Sequence, residues 1–308
     1  MKAAIINAYG SKLEITDIAK PALLADSVMI AVHASSVNPV DNLIRAGYLK
    51  AMLPLTLPYT AGNDVSGVIT EIGKGVTRFK VGDAVFARPQ GMQSGTFAEF
   101  VMVKEQDVAN KPANVSHEQA ASLPLVALTA WQALVSKANL QPGQKVLIHA
   151  GSGGVGSIAI QIAKHLGAEV ATTTSGDNIA MVRALGADTV IDYQTQKFEE
   201  LLKDYDVVFD TLGGATREKS FSVLKKGGHL VSIIAPASTS GEAEKLGVKS
   251  EVFFMWASGE QLGQIGQLVE QGVIKPLIDR SYALDQVQEA FDYSQSGRAK
   301  GKIVIKVR

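Results

Sequence analysis

The stretch that most constrains this chain is "VLIHAGSGGVGSIAIQIAKHLG", residues 146–167, where an apolar run meets bare backbone and then a helical period. Gly151, Gly153 and Gly156 stand at the first, third and sixth places of a G-x-G-x-x-G. Alone that spacing is a weak signal; between a strand and a helix it marks a dinucleotide-binding turn. Gly151 and Gly153 let the backbone turn tightly and approach a pyrophosphate, while Gly156 lets the helix pack on the strand. The helix N-terminus offers its free N–H groups to the anion. No Gly-Lys-Ser/Thr follows, so the turn is not a P-loop, and Ser152 does not sit in the G-x-S-x-G of a nucleophile elbow.

The surroundings repeat the same unit. Buried-looking strands are expected at 145–149, 169–173, 189–191, 206–210, 229–234 and 250–255, with helical stretches at 155–166, 177–185 and 215–224. Such alternation implies an α/β fold, a doubly wound parallel six-stranded Rossmann sheet. The second strand ends in "TTTSGDN", with no carboxylate before Asp177. An NAD site places an acid about 20 residues after the glycines, to take the ribose 2′-hydroxyl. Hydroxyls and a glycine leave room for a 2′-phosphate instead, which favours NADP(H).

The first hundred residues follow a different rule. "KAAIINA", "LEITDI", "SVMIAVHASSV", "VSGVITEIGKGV", "FKVGDAVFA" and "GTFAEFVMV" read as short strands with glycine turns, interrupted by one helix near 39–46. Ser116 and Gln119 form a capping box where the helical period begins. After Pro276 come a helix at 285–296 and a last strand, "GKIVIKV", residues 301–307.

Lys and Arg balance Asp and Glu at 30 each, so no global field draws the protein to nucleic acid or anionic lipid. There is no cysteine, which removes disulfides, thiolate nucleophiles and every sulfur-based zinc site. "MKAAIINAYGSKLEI" lacks a signal peptide's apolar stretch, and no apolar run approaches the ~18 residues of a membrane span. A cytoplasmic location is the expectation.

"NPVDNLIRAGY", "LPYTAGNDVSGVITEIGKGVTRFKVGDAVF", "LTAWQAL", "GQKVLIHAGSGGVG", "DTLGG" and the final "GKIVIKV" resemble the medium-chain dehydrogenase/reductases, in the zinc-independent quinone oxidoreductase (zeta-crystallin-like) branch. The resemblance covers nearly the whole chain. It implies a GroES-like catalytic domain from residues 1–118 plus the returning 269–308, a Rossmann domain at 119–268, and a homodimer joined near "EVFFMW". Zinc enzymes of this superfamily carry a Cys where this chain has Asn38 and a His-Glu pair where it has Asn63 and Asp64; their four-cysteine lobe is missing. Neutral amides are poor zinc ligands, so no metal is expected and simple alcohol oxidation is disfavoured. Hydride transfer from NADP(H) to a quinone remains open, because the acceptor supplies its own electron sink. The alternatives are a double-bond reductase for 2-alkenals or enones, and a dinucleotide-binding protein with a structural or RNA-binding role.

The resemblance also implies site residues. Asn38, Asp41, Tyr48 and Tyr59 fall at the acceptor end. Thr129 and the loop from Gly151 through Ser152, Gly153, Gly154 and Val155 to Gly156 fall on the cofactor. Thr174, Ser175 and Tyr193 face the adenosine 2′-phosphate, while Leu212, Gly213, Ile233, Phe254 and Lys302 surround the nicotinamide. Relatives often carry a Lys or Arg soon after the strand-end Ser/Thr; here the first is Arg183. Several residues admit a plainer role. Asp41 equally suits a cap on the 39–46 helix, Tyr48 and Tyr59 equally suit packing, and Phe253, Phe254 and Trp256 suit a sheet edge. The basic tail, Arg298 to Arg308, reads mostly as a solvated strand face. The acceptor pocket is expected to depend on loops 86–95 and 235–250.

Overall fold

The computed structural model describes residues 1–91, 95–235 and 241–308, so parts of both expected pocket loops, 92–94 and 236–240, lie outside the described residues. Two compact units are present. One comprises Met1–Leu125, Trp256–Gly272 and Pro276–Arg308; the other comprises Val126–Met255 and Val273–Lys275.

The second unit holds the doubly wound sheet. Its strands are Lys145–Ile148, Glu169–Thr174, Thr189–Asp192, Tyr205–Asp210, Leu224–Ser232 and Lys249–Val252, all parallel. In space they run third, second, first, fourth, fifth, sixth. That order reverses direction between the first and fourth strands, where such sheets bind ligands beyond their carboxyl ends. The first and fourth strands, "KVLI" and "YDVVFD", are mostly buried along consecutive residues, as strands buried on both faces are. Leu147, Ala171, Val208 and Leu230 build one side of the core with Phe198 and Phe221. The fifth strand begins at Leu224, before the expected 229; "KKGG" carries no apolar signal, Gly227 has φ +79°, and the pairing register shifts across this stretch before His229. The sixth stops at Val252, leaving Phe253 and Phe254 beyond it.

The first unit is antiparallel apart from one strand pair. A three-stranded sheet pairs Lys2–Ile6 with Glu14–Asp17 and Tyr59–Thr60. The larger sheet runs Ile278–Ala283, Lys302–Lys306, Ser27–Val37, Asp64–Ile72, Ala84–Ala87 and Val108–Asn110, with Phe100–Lys104 also on Ser27–Val37. Its core is Val28, Ile30, Val65, Ile69, Val85 and Val101, and a second cluster stacks Phe97 edge-on against Phe291 at 5.8 Å. The returning C-terminus supplies two of its strands, Ile278–Ala283 and Lys302–Lys306. The return starts at Trp256 rather than 269. The helix Gly259–Glu270, most of which falls within the expected 119–268 segment, belongs to the first unit. A Cβ on Gly259 would lie 2.3 Å from Val108 O, so only glycine permits this helix to sit so close to the strand. Periodicity shows that a helix has an apolar face, not which unit covers it.

Candidate functional site

In the nucleotide unit, the first strand leads into a turn that is not made where the glycines suggested. Ala150 takes the left-handed conformation, φ +53°, while Gly153 has φ −80° and begins the helix Gly154–His165 as its N-cap. The glycines answer to space instead. A Cβ on Gly151 would lie 2.1 Å from Thr172 Oγ1, and one on Gly156 would lie 2.3 Å from Ala150 O. A Cβ on Gly153 would approach only Ala150 O, at 3.3 Å, so its outer side is open. No side chain caps this helix. Its N-terminus therefore keeps the partial positive charge that an anion can neutralise.

His149 holds the strained residue in place. Ser220 Oγ donates to Thr216 O at 2.7 Å, so His149 Nε2–H must donate to Ser220 at 2.8 Å. His149 Nδ1 then accepts from Thr173 Oγ1 at 3.1 Å, and Thr173 Oγ1 accepts from Ala150 N at 3.2 Å. Burial lowers the imidazole pKa to about 4, so the ring is neutral at physiological pH. Sequence reasoning passed over His149 because its spacing fits no metal site.

The ends of the neighbouring strands complete this half. Thr172 Oγ1 donates to Ile148 O at 2.7 Å, whereas Thr174 Oγ1 is buried without a partner. Ser175 Oγ accepts from Asn178 Nδ2 at 3.0 Å, and Tyr193 is exposed with its N–H on Thr174 O at 3.1 Å. Buried Asp210, which the sequence reading left unassigned inside "DTLGG", accepts from Leu212 N at 3.0 Å and Gly213 N at 2.9 Å. It thereby fixes Gly213 at φ +69°. Leu212, Ile234 and Phe254 are exposed here, the last by 56%, while Ile233 is half-buried. Thr129 is buried in the helix Pro124–Trp131. A bare helix end, glycines with no room for Cβ and one orphaned hydroxyl fit a dinucleotide.

In the first unit the expected acceptor residues form a closed network. Asp41 Oδ2 accepts from Asn38 N at 2.7 Å, and Asp41 Oδ1 accepts from Asn63 Nδ2 at 2.5 Å. The plainer role of Asp41, capping the helix Pro39–Ala46, is therefore realised. Asn38 Nδ2 donates to Asp64 Oδ2 at 2.7 Å and reaches Ser36 O at 3.5 Å. Lys302 Nζ donates to Asn38 Oδ1 at 2.5 Å, Val37 O at 2.9 Å and Asp64 Oδ2 at 3.5 Å. Asp64 also accepts from Ser36 Oγ at 2.8 Å and Leu125 N at 2.7 Å. Burial raises Asp41 to about 6 and lowers Lys302, an effect that Asp64 and Asp41 oppose.

Two expectations change here. Lys302 is not on a solvated face: it is 5% exposed, because the strand Lys302–Lys306 enters the sheet beside Ser27–Val37. Its three donors are all engaged inside this unit, and so are both polar groups of Asn38. Lys302 is thus committed to this unit, while Asn38 Oδ1 keeps one lone pair beyond its bond to Lys302. Tyr59 is buried in the core cluster with Ile6, Phe97 and Phe291, and burial pushes its phenol pKa up. Tyr48 stands apart from the network, 79% exposed. Zinc does not fit this arrangement. The amides are consumed, an ammonium already neutralises Asp64, and among the described residues no three His, Asp or Glu side chains gather as metal ligands.

Fold and site together define a nucleotide-binding oxidoreductase built on two units. Residues 25–113 match the Alcohol dehydrogenase GroES-like domain, and residues 185–305 match the Zinc-binding dehydrogenase family. The chain is 38% identical to "NAD(P)H oxidoreductase RTN4IP1, mitochondrial" of Mus musculus, over 100% of this chain and 89% of that protein. It is also 38% identical to the 2-methylene-furan-3-one reductase of Solanum lycopersicum, over 99% of this chain and 79% of that one. The solved quinone oxidoreductase of Coxiella burnetii superposes with a TM-score of 0.91 at 34% identity, covering 100% of this chain and 99% of that one. The chain belongs to the medium-chain dehydrogenase/reductases, in their quinone oxidoreductase branch.

Proposed function

We propose that this protein is an NADPH-dependent, metal-free reductase that delivers hydride to quinones and related conjugated carbonyls. The uncapped N-terminus of the helix Gly154–His165, at the reversal point of the parallel sheet, carries that reading. Gly151, Ser152, Gly153, Gly154, Val155 and Gly156 would hold the pyrophosphate through backbone N–H groups. Thr174, Ser175 and Tyr193 would hold the adenosine phosphate, with the free hydroxyl of Thr174 offering a hydrogen bond. Exposed Leu212 and Phe254, with Gly213, Ile233 and Thr129, would line the nicotinamide end and exclude water. Bound there, the dinucleotide supplies the hydride. The acceptor's conjugation spreads the incoming charge, so no Lewis acid is needed from the chain. In the closed Lys302–Asn38–Asp64 network the Lys302 ammonium already pairs with Asp64, so that carboxylate needs no metal.

A relative favours a second reading, reduction of a carbon–carbon double bond conjugated to a carbonyl. That reaction needs a proton at the α-carbon, which exposed Tyr48 or a water would supply, since both oxygens of Asp41 are engaged in the scaffold. The tomato relative is named for such a substrate, a methylene conjugated to a ketone. We carry a homodimer through the edge strand Lys249–Val252 and a cytoplasmic location in the same proposal; light scattering and cell fractionation test them. Loss of NADPH absorbance with a panel of quinones, 2-alkenals, enones and saturated aldehydes tests the activity. Turnover of the conjugated acceptors with none of the saturated aldehydes is expected; the reverse pattern would refute the reading.

A further inference from the structure

Along the chain, the end of the second strand carries no acid until Asp177, but the fold brings a carboxylate from the adjacent strand. Thr174 pairs in parallel register with Asp192, the last residue of the third strand. A Cβ on Gly176 would lie 3.1 Å from Asp192 Oδ2, so the carboxylate lies against the backbone that follows Ser175. Asp192 Oδ1 accepts from Gln194 N at 3.1 Å and Oδ2 from Thr195 Oγ1 at 3.2 Å. Each carboxylate oxygen has two lone pairs, so acceptor capacity remains on both. Among the described residues no ion pair neutralises it. The same corner holds the orphaned Thr174 hydroxyl and the exposed Tyr193.

We infer that Asp192 limits the preference for NADPH, so that the protein also accepts NADH as a reductant. This rests on the dinucleotide reading above. The two cofactors share everything except the 2′-phosphate, a group carrying about −1.5 to −2 charge at neutral pH. A carboxylate at this corner opposes that charge and leaves the bare ribose of NADH undisturbed, or accepts a hydrogen bond from it. Sequence inspection misses the effect because Asp192 is 18 residues beyond Thr174 along the chain yet its register partner in the sheet.

The test is a nicotinamide fluorescence titration of NADPH and NADH against the wild type and Asp192→Asn. Asparagine keeps the side chain's size and one of its two turn-capping oxygens. Removing the charge should tighten NADPH about fivefold, the scale of repulsion between partly hydrated like charges, and leave NADH within about twofold. The wild type needs no mutation for a second arm. Rising salt screens the repulsion, so the NADPH:NADH affinity ratio should increase with salt in the wild type and stay flatter in Asp192→Asn. An unchanged ratio in the variant, or a wild-type ratio that falls with salt, overturns the inference while the dinucleotide reading stands. A wild type that binds neither cofactor overturns both.

Discussion

The two units brace their candidate site residues in different ways. In the first unit Lys302 and Asp64 form a buried ion pair, and Asn38 links that pair to buried Asp41. In the nucleotide unit the turn before the helix is braced by a neutral relay, Ala150 N to Thr173 to His149 to Ser220, and the helix end has no side-chain cap. The difference is instructive. Internal charge compensation makes a rigid scaffold that asks nothing of a ligand, whereas a neutral brace under a bare helix end leaves the compensating charge to be supplied from outside. Cutting the charged network should therefore cost stability, while blocking the helix end should cost binding.

Lys302→Met gives the largest effect. Removing one partner of a buried ion pair strands the other, so unfolding stability should fall by about 3–5 kcal/mol in urea titrations. Adding Asp64→Asn should recover part of the loss, since the two side chains are coupled. Dinucleotide affinity of the folded variant should stay unchanged; a large loss would return Lys302 to the cofactor site.

Next come the pH profiles, where the units should pull against each other. Asp41 has a folded pKa of about 6, above its unfolded value, so its effect favours folding below pH 4 and disappears as pH rises through 6. His149 has a folded pKa of about 4, below its unfolded value, so its effect favours folding above pH 6.5 and disappears as pH falls through 4. Each amounts to about 3 kcal/mol, with opposite slopes across nearly the same window. Asp41→Asn should leave a stability that rises with pH between 4 and 6 relative to wild type. His149→Gln should leave one that falls. Parallel slopes in the two variants would show that the clusters are not opposed.

Gly153→Ala is the smallest change and the sharpest contrast. Its methyl group meets only Ala150 O, at 3.3 Å, so stability should move by less than about 1 kcal/mol. NADPH affinity should drop at least about tenfold, because the methyl group enters the approach to the helix end. Gly156→Ala should do the reverse, destabilising the fold through the 2.3 Å clash with Ala150 O.

What was legible in the chain follows from the range of each signal. Strand–helix alternation is local and repeated, so the strands and their parallel order could be read directly, down to the turn carrying Gly153. The capping box at Ser116 and Gln119 was equally local, and both of its hydrogen bonds form. Three features were not legible, each fixed by tertiary neighbours. Ala150 rather than a glycine takes the left-handed turn because the His149–Thr173 brace holds it. Lys302 looks like one more cation in a basic tail, and only strand pairing shows that it is buried. Asp192 lies against Gly176 and pairs with Thr174 across the sheet, a neighbour that forward spacing cannot reveal. Among the acceptor candidates, the hydrogen bonds of Asn38 and Asp41 hold the scaffold, which motif matching does not show, and Tyr48 is on the surface.

The central claim is hydride delivery from NADPH to a conjugated carbonyl without a metal. It is tested most directly by following NADPH oxidation and hydroquinone formation with 1,4-naphthoquinone, before and after exhaustive chelation. The account predicts one hydroquinone per NADPH and a rate that chelation leaves unchanged. Activity lost on chelation and restored by added zinc would contradict it.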